Sequence, residues 1–221
     1  MNQFFSAVLF DMDGTLVDTE PMWLESETEL MARFGYEWTH EDQANCLGGP
    51  LDRVGRYMFD LAGGAHSPEF FTDTLISLTE THLRDGAQLM DGAQDLMSLC
   101  EGLDLPMALV SASPRVLVDA VLDNLKGHSF AISISSDDVT NVKPDPEGYL
   151  AAAKFLNVAI KECLILEDSA TGVAAASASG GLVVAIPHLV PISNGDRVRV
   201  VSSVSDLSRE RLQDLYLEFN S

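Results

Sequence analysis

Two carboxylates one residue apart, Asp11 and Asp13, close the short apolar run Ala7-Val8-Leu9-Phe10. An apolar run of this length ending at a turn signal predicts a buried strand. Side chains at i and i+2 of an extended chain point the same way, so both carboxylates face one spot. Gly14 then lets the backbone turn sharply out of the strand. Like charges this close repel, unless a cation sits between them or one keeps its proton. A carboxylate nucleophile beside a carboxyl acid and base needs that arrangement. An acidic Asp-Gly turn after an edge strand fits these residues equally well.

Three later segments carry chemistry of the same kind. Ser111-Ala112-Ser113 follow the apolar run Met107-Ala108-Leu109-Val110, and Glu167-Asp168 follow Cys163-Leu164-Ile165-Leu166. Lys143-Pro144 lies in the loop after Phe130-Ala131-Ile132-Ser133-Ile134. Taken singly, each has an ordinary reading. Ser113 before Pro114 caps a helix, Lys143 is a solvated loop charge, and Glu167-Asp168-Ser169 is an acidic helix start.

The surrounding pattern decides how to weigh them. From Asp91 onward, helical segments at 92–102, 114–126, 146–157 and 170–179 alternate with strands at 107–110, 130–134, 163–166 and 182–186. A last helix falls near 208–218. Such alternation predicts an α/β fold, a Rossmann-like doubly wound parallel sheet covered on both faces. Ligands of these sheets bind beyond the carboxyl ends of the strands, where all the segments above fall. Residues between the first strand and Asp91 show helical periodicity only, over 20–35, 40–47, 51–62 and 68–84. Pro21 suits the first turn and Gly35 the end of the first helix, with breaks at Gly48-Gly49-Pro50 and Gly63-Gly64. The chain therefore reads as an α/β core (1–17 and 89–221) with an inserted all-helical cap domain (18–88).

Composition narrows the partners. The 221 residues are 46% apolar, and no run approaches the ~20 needed to span a bilayer. Met1-Asn2-Gln3 carries no basic stretch, which speaks against a signal peptide. Cys46, Cys100 and Cys163 are odd in number and widely spaced, as expected of reduced thiols in a cytoplasmic protein. The histidines His40, His66, His82, His128 and His188 lack ligand spacing and read as surface or cap residues. A formal net charge of −21 opposes nucleic acid and anionic membranes. It would also repel a phosphorylated substrate, so a phosphate site must carry its own positive charge.

Taken in order, these segments resemble the four motifs of the haloacid dehalogenase-like hydrolase superfamily. Asp11-x-Asp13-Gly14-Thr15-Leu16 resembles the first and Val110-Ser111-Ala112-Ser113 the second. Lys143-Pro144-Asp145-Pro146 resembles the third and Leu166-Glu167-Asp168-Ser169 the fourth. The helical insert occupies the place of the cap in β-phosphoglucomutase-like members. The resemblance implies Asp11 as nucleophile and Asp13 as acid and base. It implies Ser111, the Ala112 backbone N–H and Lys143 as phosphate-binding groups, with Ser111 and Lys143 part of the catalytic set. Mg²⁺ is the implied cofactor, held by Asp11, Asp168 and the Asp13 main-chain carbonyl. Glu167 is placed to accept from Lys143 or from a metal-bound water. Charge demands a cation, since two unit charges roughly 4 Å apart repel by about 4 kcal/mol at an effective dielectric near 20.

The resemblance also has departures. β-Phosphoglucomutases have a histidine where this chain has Trp23, and a cap arginine where it has Leu51. Arg53 is displaced by two residues, which turns it away from that helix face. The runs Asp18-Thr19-Glu20-Pro21-Met22-Trp23 and Ser111-Ala112-Ser113-Pro114 are more similar to bacterial hexose-phosphate phosphatases. The expected activity is hydrolysis of a small sugar phosphate by a monomer. The alternatives are a phosphohexomutase, a non-hydrolytic phosphoacceptor and a silent binding domain. Trp23 either touches the substrate's leaving group or belongs to the cap core. The cap is expected to move, with hinges near Val17-Asp18 and Asp85-Gly86.

Overall fold

Strand β1 (Ala7–Phe10) is buried along its whole length, as an apolar run covered on both faces must be. The computed structural model describes residues 4–47, 50–125, 127–187 and 191–220. Readings that fall on Met1-Asn2-Gln3, Gly48-Gly49, Lys126 and His188 lie outside those residues. The chain divides into two compact units, Met1–Asp18 with Gln88–Ser221, and Thr19–Ala87.

After β1 the chain folds back on itself. Leu16 and Val17 donate N–H bonds to the Met12 carbonyl, and Gly14 takes the left-handed φ of +77° that this tight return requires. A short strand β2 (Val17–Asp18) follows. Among its described residues the second unit's regular elements are all helices: α1 (Glu20–Ala32), α2 (His40–Cys46), α3 (Leu51–Leu61) and α4 (Pro68–Gly86). Pro21 sits in the first turn of α1, where its missing N–H costs nothing. A reciprocal capping box of Thr39 and Asp42 opens α2, and the Ser67 side chain accepts from Phe70 N–H to open α4. Leu30, Met31, Met58, Phe71 and Leu75 are fully buried and form this unit's own core. The chain returns through β3 (Gln88–Leu89), antiparallel to β2 with Asp18 opposite Gln88. Both connections to the helical unit thus leave from one two-stranded ribbon.

The rest of the first unit alternates. In order come α5 (Ala93–Gly102), β4 (Met107–Val110), α6 (Arg115–Asn124), β5 (Phe130–Ile134), α7 (Glu147–Phe155), β6 (Cys163–Glu167), α8 (Ala170–Ser179), β7 (Leu182–Ala185), β8 (Val198–Val200) and α9 (Arg209–Phe219). Six strands form one parallel sheet in the order β5-β4-β1-β6-β7-β8. Progression runs outward from β1 through β4 to β5, then returns to the other side at β6. The order therefore reverses at β1, and the crevice beyond its carboxyl end is the expected ligand site. Three short strands escaped the periodicity: β8, three residues long with an arginine in its middle, and β2 and β3 of the ribbon, two residues each.

Candidate active site

Register brings the motif residues to one edge. Phe10 pairs with Leu109 of β4 and Leu166 of β6, so the residues after these strands emerge side by side. Asp11 N–H still donates to the Leu166 carbonyl at 3.0 Å, which fixes Asp11 as the last residue in line with the sheet. Ser111 is held the same way by its N–H bond of 2.9 Å to Ile134.

Lys143 reaches this edge from a braced loop. The Glu147 carboxylate accepts from the N–H groups of Thr140 and Asn141 at 2.9 and 2.8 Å, and Asp145 Oδ1 accepts from Glu147 N–H at 3.0 Å. Those backbone bonds hold the Glu147 carboxyl below its ordinary pKa. Lys143 is thereby turned inward, its side chain only 8% exposed. Its Nζ donates to Asp11 Oδ1 at 2.5 Å, Glu167 Oε1 at 2.7 Å and the Val110 carbonyl at 2.9 Å. The solvated-loop reading of Lys143 fails on this burial.

Asp13 faces the serines. Ser111 Oγ and Ser113 Oγ both donate to Asp13 Oδ2, at 3.1 and 2.9 Å, and Ser113 N–H donates to Ser111 Oγ at 2.9 Å. Ser113 is therefore not a helix cap: Pro114 occupies the cap position of α6, and the Ser113 hydroxyl is spent on Asp13. Ala112 is exposed on the loop between them. Ser169 does cap its helix, accepting from Gly172 N–H at 3.0 Å.

Glu167 is fully buried, and its oxygens are committed to protein donors. Oε1 accepts from Lys143 and from Tyr149 Oη at 2.5 Å, while Oε2 accepts from Ser169 Oγ at 3.3 Å. A Cβ on Gly172 would lie 1.9 Å from Glu167 Oε1, so only glycine leaves room for this carboxylate. Neither Tyr149 nor Gly172 carried a signal in the sequence, because each acts through a partner on another element. Trp23 belongs to α1 of the helical unit, where it packs partly buried against that unit's core.

Asp11, Glu167 and Asp168 each bring a carboxylate oxygen within 4.8 Å of the others. Burial and the neighbouring Glu167 push the Asp11 carboxyl up to about 7. Burial, then Asp11 and Glu167, push Asp168 up to about 9. Burial alone would weaken the Lys143 ammonium, but Asp11 and Glu167 outweigh it and hold its pKa well above the ordinary value. Three carboxylates facing one ammonium leave excess negative charge in a dry site. Hard oxygen donors with surplus charge fit a divalent cation such as Mg²⁺, with Asp11 and Asp168 the carboxylates to hold it.

Residues 8–186 match the family model of the haloacid dehalogenase-like hydrolases. Among curated relatives, hexitol phosphatase B of Escherichia coli K12 is 28% identical over 214 residues, covering 95% of this chain and 96% of that protein. The protein Suppressor of quenching 1, chloroplastic, of Arabidopsis thaliana is 32% identical over 194 residues, or 82% of this chain, which spans only 18% of that plant protein. A solved β-phosphoglucomutase of Clostridium difficile superposes with a TM-score of 0.80 at 20% identity, covering 98% of this chain and 99% of its own. That likeness shows the shared fold.

Proposed function

Because the chain belongs to the haloacid dehalogenase-like hydrolases, we propose that it is a Mg²⁺-dependent phosphatase of small sugar phosphates acting through an aspartyl-phosphate. One observation carries the reading: Asp11, Asp13, Ser111, Lys143 and Asp168 meet at the carboxyl edge where the strand order reverses. Asp11 attacks phosphorus, and the bond to the leaving oxygen breaks as Asp13 gives that oxygen a proton. Asp13 then takes a proton from water, which attacks the same phosphorus and frees Asp11. Lys143 and the Ser111 hydroxyl offer positive charge and a donor to the phosphoryl oxygens, and the Ala112 N–H a further donor. When bound, Mg²⁺ supplies charge that offsets the carboxylates and the phosphate dianion.

Hydrolysis is favoured over a phosphohexomutase by how two arginines, Arg115 and Arg53, are spent. A mutase must hold a second phosphate. Arg115, two residues past Ser113, is instead bound to Asp138, to Ser133 Oγ at 2.8 Å and to the Ser133 carbonyl at 3.0 Å. In the helical unit, Arg53 donates to the Asn45 carbonyl at 2.6 Å. A panel of phosphate monoesters with Mg²⁺ tests the reading, with a hexose 1-phosphate plus its bisphosphate as the mutase arm. Turnover of p-nitrophenyl phosphate also excludes a mere phosphoacceptor.

Metal dependence should be legible in stability. A buried carboxyl with a raised pKa favours the metal-free fold below its unfolded value of 3.8, and loses that contribution as pH rises through about 7 for Asp11 and about 9 for Asp168. Mg²⁺ competes with those protons, so its gain in Tm over EDTA should grow from about pH 5 to about pH 8.5. EDTA should abolish turnover, and Mg²⁺ should restore it better than Ca²⁺, whose longer bonds and higher coordination suit the site less. Equal Tm gains at both pH values, or full turnover in EDTA, would remove Mg²⁺ from the site.

Substrate choice we assign to the helical unit, acting as a mobile cap. Trp23→Ala should reorder the ranking of sugar phosphates with only a modest loss of Tm, since Trp23 is partly buried against that unit's core. If Trp23 serves the cap core alone, the variant loses about 3–5 kcal/mol of stability and keeps its ranking.

We place the enzyme in a reducing cytoplasm as a monomer with a small phosphorylated metabolite as its partner. Its three cysteines are free and buried, and burial pushes each thiol up to about 12, leaving little thiolate to oxidise. Among the described residues, the exposed large apolar side chains are scattered over α4, α7, α9 and one loop, and no helix is long and apolar enough to cross a membrane.

A further inference from the structure

Tyr149 makes two contacts that converge on the site's ammonium. Its hydroxyl donates to Glu167 Oε1 at 2.5 Å, the oxygen that also accepts from Lys143 at 2.7 Å. Its ring lies beneath Lys143, with Nζ 5.0 Å from the centroid, inside the range of a cation–π contact. The side chain is fully buried on α7, so its hydroxyl ties that helix to the charged pair of Glu167 and Lys143 out of reach of water.

Lys143 has three N–H donors, and Asp11, Glu167 and the Val110 carbonyl take all of them. A phosphoryl oxygen must win one donor away. Glu167 is itself held in place: its carboxylate fills the space that glycine leaves at position 172, and Ser169 Oγ donates to its Oε2 at 3.3 Å. Weakening Glu167 as an acceptor provides that release. We propose that Tyr149 is a positioning residue: by sharing Glu167 Oε1, its hydroxyl keeps Lys143 free to turn toward the transferred phosphoryl group. The inference rests on the phosphatase reading of this site.

Tyr149→Phe keeps the ring beneath Lys143 and deletes only the hydroxyl. With p-nitrophenyl phosphate and saturating Mg²⁺, kcat should fall about tenfold, the loss expected of one hydrogen bond to a charged acceptor. KM should stay within about twofold, since Lys143 matters most where charge develops in the transition state. The decisive arm is a cycle with Glu167→Gln. Once the carboxylate charge is gone, adding Tyr149→Phe should cost less than about twofold, because the two changes act on one interaction. A tenfold cost in both backgrounds would make the tyrosine structural and overturn the proposal, as would an unchanged kcat in the single variant. If the wild-type protein turns over no phosphate monoester, the phosphatase reading fails instead, and the cycle cannot be confused with that result.

Discussion

Asp11→Asn protein is expected to accumulate no phosphoenzyme and to lose turnover by about 10³-fold or more, the scale of removing a covalent nucleophile. The amide has nearly the carboxylate's shape but a far weaker nucleophile, so folding should be spared. Stability should in fact hold or rise in EDTA. Burial and Glu167 already push the Asp11 carboxyl up to about 7, and a neutral amide removes that repulsion. Lys143 would keep Glu167 and the Val110 carbonyl as acceptors. Asp13→Asn provides the contrast. It should slow both chemical steps yet still trap an aspartyl-phosphate from a substrate with a good leaving group. Intact-mass measurement after a brief exposure to p-nitrophenyl phosphate separates the two variants. Phosphate carried at another residue in Asp11→Asn would overturn the assignment of the nucleophile.

How much of the fold could be read from the chain alone is a matter of range. The sheet and helices were legible because their signals are local: Ala7–Phe10 is apolar at every position, and Pro21 marks the start of α1 within its first turn. Where the motif residues would gather was also legible, since the carboxyl edge of a parallel sheet follows from alternation alone. Partnerships were not. Ser113 before Pro114 has the local form of a helix cap, but its hydroxyl bonds Asp13, one hundred positions earlier. Tyr149 reads as one more apolar body in an amphipathic helix, and its hydroxyl's destination lies on another element. Glu167 and Asp168 read alike as adjacent acids. The structure separates them, because the oxygens of Glu167 accept from Lys143, Tyr149 and Ser169, while Asp168 is less buried and lies beside Asp11. The short strands β2, β3 and β8 were missed for a different reason: two or three residues cannot display a period.

Lys143→Met should be the most damaging single change to the folded site, because it removes the one ammonium among the described residues that faces Asp11 and Glu167. Methionine matches the aliphatic stem, so the loss reports on charge and not on volume. Breaking a buried pair on one side typically costs about 3–5 kcal/mol, and here two carboxylates lose their partner at once. Turnover should fall by about 10²–10³-fold as well, the scale of removing a preorganised group from the transferring oxyanion. The pH dependence identifies the cause. Without Lys143, whose charge opposes the rise, the Asp11 and Asp168 carboxyls hold their protons more tightly still, so the variant binds protons in the folded state over a wider range than the wild type. Its destabilisation should therefore be largest near pH 8 and shrink as pH falls below about 7, where Asp11 already protonates in the wild type. Urea unfolding in EDTA at about pH 8 and about pH 5.5 measures both values. An equal loss at the two pH values would mean that the lysine stem, not its charge, holds this edge of the sheet together.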